Sequence, residues 1–326
     1  MSERALITGG AGFIGLHLAK ELIRSGTEVV LIDDYSRGRP DDEFAAVRRD
    51  ARVVRHDLRL PVPDDLLPPV DHVYHLAAKV GVGQSNRAPG DVLRTNVLAT
   101  MNVLDWALRH KPAALFLSST SEVGDGAVRS GLAELPAPET VPYVLPDPAL
   151  PRAAYSLGKV VSEALLLHGG GEFRIRIGRY HNVYGPRMGY AHVIPQFIER
   201  LLDGENPFRI YGAHQTRSFC HVDDAVAATV AMTRLPAGEP LVANIGNDTE
   251  EITALALAER LFAVAGTRPE VEIHQPPPGS PDRRLPDLRV LRAATGHTPR
   301  VDLDTGLRQT YEWYAAARPE RLKARS

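Results

Sequence analysis

Ala5-Leu6-Ile7-Thr8-Gly9-Gly10-Ala11-Gly12-Phe13-Ile14-Gly15 is the stretch that decides the fold. Ala5 to Thr8 is a short apolar run, the pattern of a parallel strand covered on both faces. The amphipathic stretch Leu16 to Ser25 follows and stops before Gly26, where a glycine commonly ends a helix. Strand, glycine turn and helix in that order make an entry for a dinucleotide. Gly9, Gly12 and Gly15 let the backbone turn tightly, approach a pyrophosphate and pack the helix on the strand. Phe13 and Ile14 lie within the same turn and complete the expected pyrophosphate contacts.

Working outward, Glu28 to Ile32 reads as a second strand and ends in Asp33-Asp34. An acid at that point grips the adenosine ribose of a dinucleotide and repels a 2′-phosphate, which favours NAD over NADP. Arg37 and Arg39 count the other way, because arginines just beyond the acid accommodate that phosphate. Val53 to Leu58 reads as a third strand, with Asp57 and Leu58 at the adenine edge. His72 to Ala78 reads as a fourth, and the small Ala77 and Ala78 let the chain pass close to the cofactor. The fold expected is α/β, a Rossmann-type doubly wound parallel sheet.

Composition sets the outer bounds. At 326 residues the chain can bury one large core or two, and 44% hydrophobic with 24% charged residues is ordinary for a globular protein. A net charge of -2 gives no electrostatic case for nucleic acid or an anionic membrane. The single cysteine, Cys220, excludes an internal disulfide and a cysteine-rich zinc site and suits a reducing compartment. No metal site is expected. The residues before Arg4 form no basic-then-apolar leader, and no apolar run approaches the roughly 20 residues that span a bilayer. A cytoplasmic protein is expected.

Further along, Tyr155-Ser156-Leu157-Gly158-Lys159 places a tyrosine and a lysine on one helical face. A phenol ordinarily ionises near pH 10. A lysine cation about 5 Å away, at an effective dielectric of about 20, would favour the phenolate by about 3 kcal/mol, or some two pKa units. That would equip Tyr155 to take a proton from a substrate hydroxyl. Ala113 to Ser119 reads as a further strand that delivers Thr120 to the same region.

Taken together, Thr8-Gly9-Gly10-Ala11-Gly12-Phe13-Ile14-Gly15, Asp57-Leu58, His75-Leu76-Ala77-Ala78 and Tyr155-x-x-x-Lys159 resemble the extended short-chain dehydrogenase/reductase family. The nucleotide-sugar epimerases, dehydratases and decarboxylases are its most similar group. The resemblance runs from about residue 4 to residue 314. It implies an NAD-binding domain over residues 1–178, a smaller nucleotide-sugar-binding lobe over 179–326 with the chain crossing between them, and a homodimer built on two helices, 92–109 and the one after Pro151. Thr120 would hydrogen-bond the reacting sugar hydroxyl. Asn182, in Arg179-Tyr180-His181-Asn182-Val183-Tyr184-Gly185-Pro186-Arg187, would contact the substrate diphosphate, and His181 would touch the sugar or serve the structure. Arg217, and Arg284 in Arg284-Leu285-Pro286-Asp287, would pair with the diphosphate, a role that suits a planar guanidinium. A UDP-sugar is the favoured substrate.

Two features divide the possible outcomes. Epimerases usually carry small or hydroxyl residues where this chain has Ser121 and Glu122, whereas dehydratases and glucuronate decarboxylases resemble it in having Glu there. Conversely, His192 to Leu201 resembles the epimerase branch, and the arginine-bearing stretch of the decarboxylases before that helix is missing. In each outcome Tyr155, with Lys159 and Thr120, removes the 4-hydroxyl proton as hydride passes from C4 to NAD. The 4-keto sugar is then epimerised, decarboxylated or dehydrated through Glu122, and the hydride returns. Epimerisation of an NDP-hexose or NDP-hexuronate is placed first, with decarboxylation of UDP-glucuronate and dehydration as alternatives. A non-catalytic dinucleotide-binding regulator would typically have lost the tyrosine or lysine. The chain also lacks the family's tyrosine after Val123, and a proline-rich loop over 125–151 follows, whose role the sequence leaves open between specificity and surface decoration.

Overall fold

Seven parallel strands carry the molecule: β1 (Arg4–Thr8), β2 (Glu28–Asp33), β3 (Ala51–Arg55), β4 (His72–His75), β5 (Ala114–Thr120), β6 (Arg174–Tyr180) and a last strand, Leu241–Ile245. Their order across the sheet is Leu241–Ile245, β6, β5, β4, β1, β2, β3. The direction of winding reverses between β1 and β4, and such a switch point opens a crevice beyond the carboxyl ends of the strands. This is a computed structural model, and it describes residues 2–38, 40–145, 147–277 and 279–325. Arg39, weighed against NAD above, and Pro146 lie outside the described residues.

The sheet is buried on both faces, which explains its continuous apolar strands. One face packs on Leu16, Ala19 and Leu22 of the helix Phe13–Arg24 and on Ala225, Ala228 and Met232 of the helix Val222–Arg234. The other packs on Val103, Trp106 and Ala107 of the helix Pro89–His110 and on Leu166 of the helix Ala153–His168. A separate core gathers Phe197, Phe208, Leu261 and Leu307 from the C-terminal part of the chain. No helix among the described residues is long and apolar enough to cross a membrane.

Several boundaries differ from the sequence expectation. The first helix begins at Phe13, with Gly12 as its N-cap. β3 stops at Arg55, where its one neighbour β2 ends at Asp33, and β4 stops at His75, where β1 ends at Thr8, while β5 on its other side runs on from Leu117 to Thr120. Asp57, Leu58, Ala77 and Ala78 therefore sit in loops beyond the strand ends, where they face the crevice. The proline-rich segment opens with a short helix, Asp125–Arg129, and becomes irregular only afterwards. The last helix runs on past Tyr314 to Arg325.

Gly15 shows how tightly the entry turn is built. A Cβ at this position would lie 2.2 Å from the Gly9 carbonyl oxygen. Gly15→Ala must push the helix off the turn, and overpacking of this kind costs about 1–3 kcal/mol. The variant is expected to melt lower and to bind NAD at least about tenfold more weakly, as calorimetric titration will show.

Candidate active site

The crevice at the switch point is a cleft of about 780 Å³. On its cofactor side Gly9 adopts φ 71°, and the Gly12 N–H donates to the Gly9 carbonyl at 3.0 Å. Leu16 is the first residue whose N–H bonds back into the helix, to Gly12, so the N–H groups of Phe13, Ile14 and Gly15 are those a helix start leaves for an anion. The Asp33 carboxylate accepts the N–H groups of Ala11 at 3.0 Å and Tyr35 at 2.8 Å. Burial raises its pKa, and those two N–H groups act against the rise. Asp57 is held low by Arg59, whose guanidinium donates to it at 2.6 Å. Ala77 donates its N–H to the Thr8 hydroxyl at 3.0 Å, so the β4 loop is tied down against β1. Gly9, Gly12, Phe13, Ile14 and Gly15 line this side together with Asp33, Asp57, Leu58, Ala77 and Ala78. A bared helix start, a glycine turn and a buried acid at the end of β2 fit a dinucleotide.

Two arginines of the cleft are placed in ways the sequence did not reveal. Arg187, in the left-handed region at φ 67°, donates to the carbonyls of Ala11 and Gly12, each at 3.1 Å, and to the Asp41 carboxylate at 2.7 Å. It straps the glycine turn to the segment after β6. The only sequence signal was an arginine following Gly185-Pro186. Arg37, weighed as a partner of a 2′-phosphate, instead donates to the Val80 carbonyl at 2.8 Å across the cleft.

The reacting end is assembled from two elements. β5 is buried along its whole length and ends at Thr120, while the helix Ala153–His168 brings Tyr155 and Lys159. The Thr120 hydroxyl accepts the Glu122 N–H at 3.3 Å and lies close enough to the Tyr155 phenol to favour its ionised form. Lys159, 3% exposed, donates its ammonium to the Ser118 carbonyl at 2.6 Å. Burial pushes its pKa down to about 8, against the pull of Glu163. The lowering of Tyr155 expected from Lys159 is not found in the protein alone. Burial raises the phenol, Glu122 raises it further, and Thr120 and Arg37 oppose them. The reason is that Lys159 is itself buried and engaged by a carbonyl, so desolvation outweighs pair attraction. NAD, when bound in this cleft, would supply the hydride acceptor and a positive charge that favours the phenolate.

On the substrate side Ser121, Glu122, Asn182 and Arg284 line the same cleft. Glu122 is raised by burial and held back by Arg284. Arg284 donates to the Asp125 carboxylate through Nε at 3.1 Å and through Nη2. Asp125 had no assigned role, and nothing in its local pattern indicates that it receives this arginine. Asn182, at φ 42°, donates to the Ser218 carbonyl at 2.9 Å. Two residues stand apart from the cleft. His181 bonds Asn244 at 3.0 Å through Nε2, is pushed down to about 4 by burial, and borders an adjoining cavity of about 300 Å³. Arg217 donates to the carbonyls of Thr216 at 2.7 Å and Pro281 at 2.6 Å and borders neither space. Its strand lies in register beside Arg284, and burial with that neighbour pushes it down to about 10.

A dinucleotide cleft that ends on a threonine, tyrosine and lysine is the site of an NAD-dependent hydride-transfer enzyme. Residues 5–246 match the model of the NAD dependent epimerase/dehydratase family, and the chain belongs to that family. It is 35% identical over 311 residues to UDP-glucuronic acid decarboxylase 5 of Arabidopsis thaliana, covering 93% of this chain and 87% of that one. It is 32% identical to UDP-N-acetyl-alpha-D-glucosaminuronate decarboxylase of Bacillus cytotoxicus, covering 96% and 98%. Among solved structures it resembles MoeE5 in complex with UDP-glucuronic acid and NAD, with a TM-score of 0.82, 30% identity, and 96% and 99% of the two chains covered. UDP-glucose 4-epimerase of Thermotoga maritima gives a TM-score of 0.84 at 28% identity, covering 96% and 99%.

Tyr155→Phe keeps the ring and removes the proton acceptor. Turnover is expected to fall by about a thousandfold while NAD affinity stays within about threefold of the parent, measured by steady-state kinetics and NAD titration.

Proposed function

We propose that this enzyme acts on a UDP-hexuronate through a 4-keto intermediate, and that decarboxylation is its outcome. Epimerisation came first on sequence motifs; the decarboxylase relatives move the weight to the second outcome. The observation that carries the reading is the place of Glu122, a carboxyl group lining the cleft within the field of both Tyr155 and Arg284, whose pKa is raised by burial.

In the oxidation Tyr155 takes the 4-hydroxyl proton, steadied by Thr120, while hydride leaves C4. The C6 carboxylate then stands β to a ketone, and the C5–C6 bond breaks to release carbon dioxide. Its electron pair remains as the C4–C5 enolate. A protonated Glu122 suits the next step, delivery of a proton to C5. A dehydratase would need the same group ionised, to remove the C5 proton, and burial works against that. Hydride then returns to C4, Tyr155 returns its proton to O4, and the cofactor is restored. The segment from Gly189 to Glu199 contains no arginine, so binding of the substrate carboxylate falls to cleft arginines, Arg37, Arg152 and Arg284. Arg217 beside Arg284 adds positive charge on the diphosphate side.

Epimerisation at C4 is the second reading, favoured by the likeness to the Thermotoga 4-epimerase. A non-catalytic regulator is disfavoured by the retained Thr120, Tyr155 and Lys159. The reading includes a cytoplasmic location, division near residue 178 into cofactor-binding and substrate-binding parts, and a homodimer through the helices Pro89–His110 and Ala153–His168. Exposed Met101 and Leu167 on those helices support the dimer.

Incubation with UDP-glucuronate is expected to give a UDP-pentose with loss of carbon dioxide. A product of unchanged mass would instead establish the epimerase. Glu122→Gln is expected to slow decarboxylation about a hundredfold. A raised carboxyl pKa keeps the donor protonated to higher pH, so parent turnover should decline as pH rises through it. That limb should be missing in Glu122→Gln.

A further inference from the structure

Glu163 lies one helical turn beyond Lys159 and is 1% exposed. Its carboxylate accepts the Ser119 hydroxyl, Arg179 Nε at 3.0 Å and Nη2 at 2.8 Å, and the Tyr143 hydroxyl at 2.5 Å. Arg179, near the end of β6, also donates to the Tyr143 oxygen at 2.6 Å and to the Glu139 carbonyl at 2.7 Å. Tyr143 and Glu139 both belong to the proline-rich segment. One carboxylate thus joins the ends of β5 and β6, the catalytic helix and that segment. Ser119 sits between Ser118, whose carbonyl receives Lys159, and Thr120. A buried ion pair is weak evidence for stability, since packed apolar residues serve a core as well or better. Its place beside the reacting groups calls for another reason.

We propose that the proline-rich segment belongs to the catalytic apparatus: Tyr143 orients the Glu163 carboxylate, and Glu163 is the positioning residue that fixes Lys159 against the strand end carrying Thr120. This rests on the reading of Thr120, Tyr155 and Lys159 as the hydride-transfer set.

The charges around Lys159 bear this out. Glu163 faces it from its own helix and holds the ammonium form in place. His75 faces it from β4 and is neutral, pushed down to about 3 by burial. Tyr155 shares its helical face. Arg179 is the counter-ion of Glu163, so Lys159 meets the field of a paired carboxylate, and a modest effect is expected. Removing that charge lowers Lys159 further, so its cation is lost sooner as pH rises. In the NAD-loaded cleft a Lys159 that is neutral or displaced no longer favours the Tyr155 phenolate, which then forms at higher pH.

The test uses the NAD-loaded protein with Glu163→Gln, which keeps the shape, and Tyr143→Phe. Expected are a kcat loss of about tenfold for Glu163→Gln and about threefold for Tyr143→Phe, with KM within about twofold. Read in the Glu122→Gln background, where the Glu122 limb is absent, the alkaline limb set by Lys159 moves down by about one pH unit in Glu163→Gln. Loss of thermal stability alone, with kcat and the pH limb unchanged, would overturn the proposal. A second readout needs no substrate: the phenolate absorbance of Tyr155, taken as the parent titration minus that of Tyr155→Phe. Its titration should move up in Glu163→Gln, assessed against a matched double variant, and an unmoved titration contradicts the proposal. Failure to turn over any nucleotide-sugar would count only against the proposed function. Should Glu163→Gln not fold, Tyr143→Phe, at a side chain 48% exposed, carries the same two readouts.

Discussion

The bond from the buried Lys159 ammonium to the Ser118 carbonyl is the constraint on which the site depends. It pins the catalytic helix to the end of β5 and fixes Tyr155 beside Thr120. The ammonium loses its hydration in doing so, and its pKa falls. The protein alone therefore holds a lysine easier to deprotonate and a tyrosine harder to deprotonate than in water. A positive charge brought into the cleft with the cofactor would favour the Tyr155 phenolate. On the proposed reading, base strength would be a property of the loaded cleft and not of the protein alone.

The cofactor half was legible because its chemistry is local. Gly9, Gly12 and Gly15 are spaced by a turn, and Asp33 follows a strand of ordinary length, so distance along the chain stands in for distance in space. Tyr155 and Lys159 are legible for the same reason, being four apart on one helix. Element ends were less so. β3 stops where β2 ends and β4 where β1 ends, a fact of pairing and not of propensity, and this turns Asp57 and Ala77 from strand residues into loop residues.

The substrate side was harder to read because its partners are distant in sequence. Asp125 with Arg284, Arg187 with Ala11, and Arg37 with Val80 meet only in the folded chain. Arg217 and His181 carried the right residue types in the right motifs. The structure turns the first to backbone carbonyls and the second to Asn244, with Arg284 left at the cleft. The outcome of the reaction was the least legible feature. In the proposed reading it turns on one carboxyl, Glu122, whose pKa is raised by burial, a property that no local sequence pattern displays.

The central claim is that hydride leaves C4 and returns to it while carbon dioxide departs. UDP-glucuronate deuterated at C4 tests it directly, by mass and nuclear magnetic resonance of the product. The account predicts a UDP-pentose that keeps the deuterium on C4 and takes one solvent proton at C5. Loss of the C4 deuterium to solvent, or a product still carrying its carboxylate, would contradict it.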